Sequence, residues 1–376
     1  MRIGVEAQRI FRNKKHGMDV VALQVLLSLQ ELDHENEYVV FVKPDEDRDC
    51  LKTSNNLEIV EIPALSYPDW EQIHLPRVAK KHGVEILHCT SNTAPMFSAI
   101  PSVITLHDVI YLENLNFGGT AYQNFGNIYR RWIVPRVVKT ADCIITVSEY
   151  EKEKIVSTLK LPPEKVKVVY NAISNKFHNN YSAIKLDDIR VKYDLPEQFI
   201  LFLGNNAPKK NTERVLKSYV KYCKQVTFPI PLVVLDYEFE LIAKLLKSEK
   251  GDEYLKYIIS PGYIAASEIA LIYNLATLFL YPSLRESFGL PIIEAMACGT
   301  PVITSNTSAM PEVAGGAAIL IDPFNVDDLS NQIVALLSNN TLRDTKIEQG
   351  LQRAKAFSWD NAAMQVLNIY QAVLQR

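Results

Sequence analysis

The chain has no stretch approaching the ~20 consecutive apolar residues of a membrane span. Its opening, Met1-Arg2-Ile3-Gly4-Val5-Glu6-Ala7, is too short and too soon polar for a secretion signal, so a cytoplasmic location is expected. A basic surplus is also missing. The 40 Lys+Arg against 43 Asp+Glu give a formal net charge of −3, which argues against nucleic acid as a partner. Five cysteines (Cys50, Cys89, Cys143, Cys223 and Cys298) are odd in number and widely spaced, with no C-x-x-C. That excludes a disulfide framework or cysteine zinc site and fits a reducing compartment. The seven histidines never stand three or four apart, so a helical two-histidine metal site is absent. No G-x-G-x-x-G, Gly-Lys pair or G-x-S-x-G occurs, which disfavours dinucleotide redox enzymes, P-loop enzymes and α/β-hydrolases.

What remains is a two-domain α/β pattern. At ~150 residues per domain, 376 residues suggest two domains, and 48% hydrophobic residues suffice for ordinary cores. Short Val/Ile-rich runs predict strands near 2–7, 38–43, 57–62, 84–89, 102–107, 142–147 and 165–170. Helices are expected near 18–32, 69–82, 121–139 and 149–159. Runs such as Cys143-Ile144-Ile145-Thr146-Val147 are continuous rather than alternating, the pattern of a parallel sheet covered on both faces. Residues 174–197 are polar and interrupt the rhythm. It restarts with strands near 199–203, 231–235, 256–260, 277–281, 301–304 and 317–321 and helices between them. The expectation is an α/β chain with a first domain over 1–180, a second over 195–357, and a last helix within 358–376. Ligands of such sheets bind beyond the carboxyl ends of the strands.

The segment from Pro282 to Val302 carries the most chemistry. Glu286 and Glu294 are separated by seven residues, with Phe288-Gly289-Leu290-Pro291 between them and Ala295-Met296-Ala297-Cys298-Gly299-Thr300-Pro301 after. Gly289 permits close backbone approach, and Pro291 suits a first helical turn, whose N–H groups attract phosphate. Asp45-Glu46-Asp47-Arg48-Asp49 contains D-x-D twice, a pattern able to hold a divalent ion on a diphosphate. Lys43 and Arg48 dilute its charge, so it reads as a solvated loop, and no metal is expected.

The Glu-x7-Glu segment resembles the retaining nucleotide-sugar glycosyltransferases of family 4. The likeness continues through Ser305–Ala318, Pro261-Gly262-Tyr263 and Ser358-Trp359-Asp360. The turns His107-Asp108 and Pro208-Lys209-Lys210-Asn211 look most like bacterial mannosyltransferases of surface-polysaccharide synthesis. The resemblance implies a GT-B fold: two Rossmann-like βα-repeat domains facing across a cleft, with the C-terminal helix crossing back to the first. It implies a hexosyltransferase without a cofactor, moving mannose from GDP-mannose, or a sugar from a UDP-sugar, to a glycan or lipid-linked acceptor. Glu286 would bind donor-sugar hydroxyls, Lys210 the diphosphate, and His107 the reacting sugar. Glu294 would bind the ribose, and the backbone of Phe288, Gly289 and Leu290 the sugar and phosphate. Lys209, Gly204, Gly17, Gly262 and Tyr263 complete the implied donor contacts. His88, Asn92, Asp108 and His16 are candidate acceptor contacts. Departures include Asn205 where an arginine is usual, Asp236 for a glycine, and Ser287 for a glycine.

Two further readings stay open. Arg130, Arg131, Trp132, Arg136 and Lys139 form either a solvated face over a buried tryptophan or a contact with anionic lipid headgroups. The same architecture also serves sugar-nucleotide epimerases, phosphorylase-like enzymes and non-catalytic sugar-binding subunits.

Overall fold

In the computed structural model, residues 1–113 and 121–375 are described. The chain divides into two compact units: one of Met1–Asn171 joined by the segment from Ser358, the other of Ala172–Phe357.

The first unit is built on a parallel sheet of β1 (Arg2–Glu6), β2 (Glu37–Val42), β3 (Leu57–Glu61), β4 (Ile86–Cys89), β5 (Ser102–Thr105), β6 (Cys143–Thr146) and β7 (Val166–Val168). The strand order is β3-β2-β1-β4-β5-β6-β7. Val39, Val40, Leu87, Ile104 and Ile144 have no exposed surface, because helices cover both faces. That double burial is why these strands read as unbroken apolar runs. The helix Trp359–Leu374 begins on Ser358, whose hydroxyl accepts the Asn361 N–H at 3.2 Å. It packs against the helix Gly17–Leu32 within this unit.

The second unit carries β8 (Ile200–Leu203), β9 (Leu232–Leu235), β10 (Ile258–Ile259), β11 (Leu278–Tyr281), β12 (Val302–Ser305) and β13 (Ile319–Ile321). Their order, β10-β9-β8-β11-β12-β13, places β8 and β11 side by side at the centre. Strand order reverses there, so loops leaving these two strands diverge and open a crevice at their carboxyl ends.

Two details differ from the sequence reading. The second unit starts at Ala172, so the stretch to residue 180 belongs to it and not to the first domain. The polar stretch is no linker either: Ala183–Lys192 is a helix packed on the helix Ile269–Leu275, capped by Ser182. Its polarity reflects an exposed outer face. The helix expected over 69–82 contains a π turn at Trp70–His74. Pro76 has no N–H for the carbonyl four residues back, which loosens the ladder there. The widened turn carries Glu71 inside, where Tyr67 donates at 2.8 Å, Gln72 at 2.7 Å and Tyr129 at 2.5 Å to its carboxylate.

Candidate active site

In the second unit the turn after β8 and the loop after β11 are tied together. The Leu284 N–H donates to the Lys209 carbonyl at 2.7 Å. Asn211 adopts φ +61°, a left-handed conformation that asparagine tolerates better than most residues. From there its buried amide donates to the carbonyls of Pro282 (3.0 Å) and Pro323 (2.7 Å), joining the loops after β8, β11 and β13. Ser308 fixes Glu286 on both sides. Its hydroxyl accepts the Glu286 N–H at 3.1 Å and donates to the Glu286 carbonyl at 2.5 Å.

Glu286 is thereby aimed at the two lysines of the neighbouring turn. Its Oε1 lies 2.7 Å from Lys210 Nζ, and its Oε2 lies 3.9 Å from Lys209 Nζ. Lys210 also donates to the Tyr281 hydroxyl at 2.9 Å and sits 4.8 Å over its ring. The Glu286 side chain is 12% exposed and that of Lys210 24%, so the pair is sheltered, while Lys209 at 46% is not.

Gly289 has φ +105°, open only to glycine, and a Cβ there would meet Ile292 Cδ1 at 3.1 Å. It caps the helix Leu290–Ala297. Pro291 has no N–H, and Ile292 donates to the Gly289 carbonyl at 3.0 Å, so the amides this turn can offer an anion are those of Gly289 and Leu290. Phe288 is buried edge-on against Phe357, with ring centroids 5.7 Å apart.

Glu294 lies within the same helix, 3.4 Å from the Tyr273 hydroxyl. Burial pushes its carboxyl up to about 7; Lys176 and the Tyr273 hydroxyl pull the other way. Tyr281 feels both carboxylates, each of which helps burial to keep its phenol protonated well above the ordinary range. Tyr281 thus lies within the electrostatic reach of both glutamates. Gly262 (φ +81°) and Tyr263, 84% exposed, lie in the loop before the helix Ile269–Leu275.

Gly204 has a packing role of its own. It is buried, its N–H donates to the Leu235 carbonyl at 2.8 Å, and a Cβ would meet Tyr237 Cβ at 2.7 Å. Packing against β9 is enough to require glycine here. Asp236, the departure noted beside it, has φ +56°, which explains why glycine suits that position.

In the first unit His107 follows β5. Its N–H donates to Asn92 Oδ1 at 2.7 Å, and its Nε2 lies 3.1 Å from the Thr90 carbonyl. Burial lowers its pKa, so the ring is neutral near pH 7. Nε2 must then carry the proton to meet a carbonyl, which leaves Nδ1 with its acceptor lone pair.

His88 and Asn92 are corrected from acceptor contacts to internal supports. Both His88 ring nitrogens are used, Nδ1 with Tyr370 at 2.6 Å and Nε2 with Thr105 at 2.7 Å, and burial holds its pKa down at about 3. Asn92 is buried and holds His107. Asp108 Oδ1 accepts the Ile110 N–H at 3.1 Å. His16 caps the helix Gly17–Leu32, donating its N–H to Asp19 at 2.9 Å, with its ring exposed. Gly17 has open space where a Cβ would stand. The acidic run 45–49 is occupied locally, with Asp47 on Lys15, Arg48 on Glu61 and Asp49 on Lys52. Among the described residues no group of three or more His, Cys, Asp or Glu side chains is arranged for a metal ion.

Sequence reasoning singled out the two glutamates and both lysines as candidates but gave no role to Ser308, Asn211 or Lys176. Asn211, a non-glycine residue ending a Lys-Lys turn before a helix, was the one visible signal.

Residues 187–353 match the family described as Glycosyl transferases group 1, and residues 16–176 match Glycosyltransferase Family 4. The chain is similar to O-antigen chain mannosyltransferase B of Escherichia coli, 32% identical over 235 residues. That alignment spans 61% of this chain and 61% of the relative, so part of each lies outside it. In fold it resembles a crystallised glycosyltransferase from Rickettsia africae, with TM-score 0.76 and 18% identity over 100% of this chain and 99% of the other. It also resembles Anabaena Alr3699/HepE in complex with UDP and glucose, with TM-score 0.73 and 16% identity over 99% of this chain and 100% of that one.

Proposed function

The chain belongs to glycosyltransferase family 4, and from that premise we propose that it is a retaining hexosyltransferase using a nucleotide-sugar donor, GDP-mannose, and a glycan or lipid-linked acceptor of surface-polysaccharide synthesis. The observation that carries the reading is the sheltered Lys210–Glu286 pair beside the Gly289 turn, with Glu294 in the helix that turn opens. The name of the E. coli relative supports mannose.

Breaking the bond from the anomeric carbon to a diphosphate builds negative charge on the leaving phosphate while the sugar becomes oxocarbenium-like. Lys210, Lys209 and the amides of Gly289 and Leu290 offer fixed positive charge and dipoles for that oxygen. An entering diphosphate draws Lys210 away from Glu286. The freed carboxylate then takes hydrogen bonds from sugar hydroxyls, so neither ion is left unpaired. Glu294 accepts the ribose hydroxyls. Attack on the same face, with the leaving phosphate taking the acceptor proton, needs no dedicated protein base. His107 Nδ1 accepts from a sugar hydroxyl.

Turnover across a panel of GDP- and UDP-sugars tests this. GDP-mannose is expected to be preferred and EDTA to have no effect; preference for a UDP-sugar removes the mannose assignment, and loss of turnover in EDTA revives the acidic loop 45–49.

The basic stretch favours lipid as the second partner. From Phe125 onward the helix Ala121–Thr140 buries Ile133, Val134, Val137 and Val138 and exposes Phe125 (56%), Ile128 (54%) and Trp132 (51%). At 100° per residue these three, with Arg136 and Lys139, fall on one face. Trp132 is therefore not a tryptophan buried beneath a solvated face, and the Arg136 guanidinium stacks on it at 4.7 Å. The helix sequence has no acidic residue. Apolar side chains followed by cations suit an anionic bilayer surface, at the cytoplasmic face in this reading. Co-sedimentation with phosphatidylglycerol vesicles is expected, and should fall several-fold in Trp132→Ala/Arg136→Gln. Equal sedimentation with neutral phosphatidylcholine vesicles, or none with either, rejects the contact. No helix of the described residues is long and apolar enough to cross a membrane.

A further inference from the structure

We infer that Ser308 is a positioning residue for Glu286. Its hydroxyl ends a run of side-chain hydroxyls that carries the pairing of β11 and β12 past the edge of the sheet, and it sets where the Glu286 carboxylate stands. This rests on reading Glu286 as a contact of the donor sugar.

The strands β11 and β12 run in register as far as Tyr281 and Thr304. The next residue, Pro282, has no N–H, so a ladder of main-chain bonds cannot continue. Hydroxyls from β12 and the turn after it take over. Thr304 donates to the Tyr281 carbonyl at 2.8 Å, and Ser305 to that of Ser283 at 2.6 Å. Thr307 donates to the Leu284 carbonyl at 3.4 Å, and Ser308 to that of Glu286 at 2.5 Å. From the other side the Asn211 amide holds the Pro282 carbonyl. Side chains thus satisfy the main chain of a loop that is neither helix nor strand, and they fix its path.

Ser308 differs from the other hydroxyl residues of this run. Its oxygen bonds both the N–H and the carbonyl of one residue, Glu286, and Arg285 Nη1 donates to the same oxygen at 3.3 Å. It does so at φ +60°, a left-handed conformation that glycine adopts at lower cost. Glycine would suit that backbone but has no hydroxyl, so the bond to Glu286 is what the strained serine adds. An entering donor makes the Glu286 carboxylate change partners, from Lys210 to sugar hydroxyls. A side chain that changes partners keeps its aim only if its main chain stays still. A misplacement of about 1 Å costs up to about 100-fold in rate.

The test uses the full chain, the sugar nucleotide that the donor panel prefers, and GDP and UDP as binding probes. Ser308→Ala and Ser308→Gly both lose the hydroxyl. In both, kcat should fall about 10- to 50-fold while nucleotide affinity stays within about twofold, because Glu286 faces the sugar end. Their urea midpoints should part, since glycine relieves the left-handed backbone and alanine does not. A rate loss that follows the midpoint, large in Ser308→Ala and absent in Ser308→Gly, marks a folding role and overturns the inference, as does an unchanged kcat in both. The double variant Ser308→Gly/Glu286→Gln should be no slower than Glu286→Gln alone, and losses that multiply also overturn it. If no donor is turned over, or if Glu286→Gln is fully active, the sugar reading of Glu286 fails. A crystal structure of Ser308→Gly then decides the positioning by itself: a Glu286 main chain displaced by about 1 Å supports it, and an unmoved loop rejects it.

Discussion

Lys210→Met is expected to lower kcat by about 10²- to 10³-fold, the usual effect of removing one preorganised donor from a developing anion. Methionine keeps the stem and its contact with the Tyr281 ring but removes the ammonium that would face the leaving phosphate. The loss should appear in kcat more than in KM, because the phosphate charge grows toward the transition state. Stability should fall as well, since Glu286 is left sheltered without its 2.7 Å partner. A fully buried pair would cost ~3–5 kcal/mol when broken. Lys210 is 24% exposed, so about 1–2 kcal/mol is expected here, read from urea unfolding. Nucleotide release assayed at saturating donor gives the rate, and a kcat within threefold of wild type would remove Lys210 from the chemistry.

Glu286→Gln is the second large effect. Glutamine is isosteric and keeps hydrogen bonds to sugar hydroxyls, but it loses the charge that stabilises an oxocarbenium-like sugar. We expect kcat/KM to fall about 100-fold or more, with nucleotide affinity nearly unchanged because Glu286 faces the sugar end. The double variant Lys210→Met/Glu286→Gln separates stability from catalysis. With no charge left unpaired it should recover most of the lost stability while remaining inactive. Full activity of Glu286→Gln, or a loss of nucleotide binding as large as the loss of rate, contradicts the assigned role.

Much of this was legible in the sequence because each central strand is buried on both faces. Four or five consecutive apolar residues have no other use in a polar chain, so the run at 199–203 is observed as Ile200–Leu203. The helix that Pro291 was expected to open is Leu290–Ala297, with Gly289 capping it. The sequence placed Lys210 and Glu286 after two separate strands; their pairing comes from β8 and β11 lying side by side in the sheet. What could not be read were contacts between residues far apart in sequence. Ser308 reaches back 22 positions to hold Glu286, and Lys176 touches Ala266 across 90. His88 shows the reverse failure. A histidine at a strand's carboxyl end suggests chemistry, yet Tyr370, 282 positions away, uses its ring for packing.

The measurement nearest to the central claim is a crystal structure of this chain with donor bound, with GDP-mannose and a UDP-sugar soaked separately. The account predicts the diphosphate within hydrogen-bond reach of the Gly289 and Leu290 amides and Lys210 Nζ, the ribose on Glu294, and the sugar on Glu286. A nucleotide seated elsewhere, with Lys210 still on Glu286 and Glu294 untouched, would contradict it.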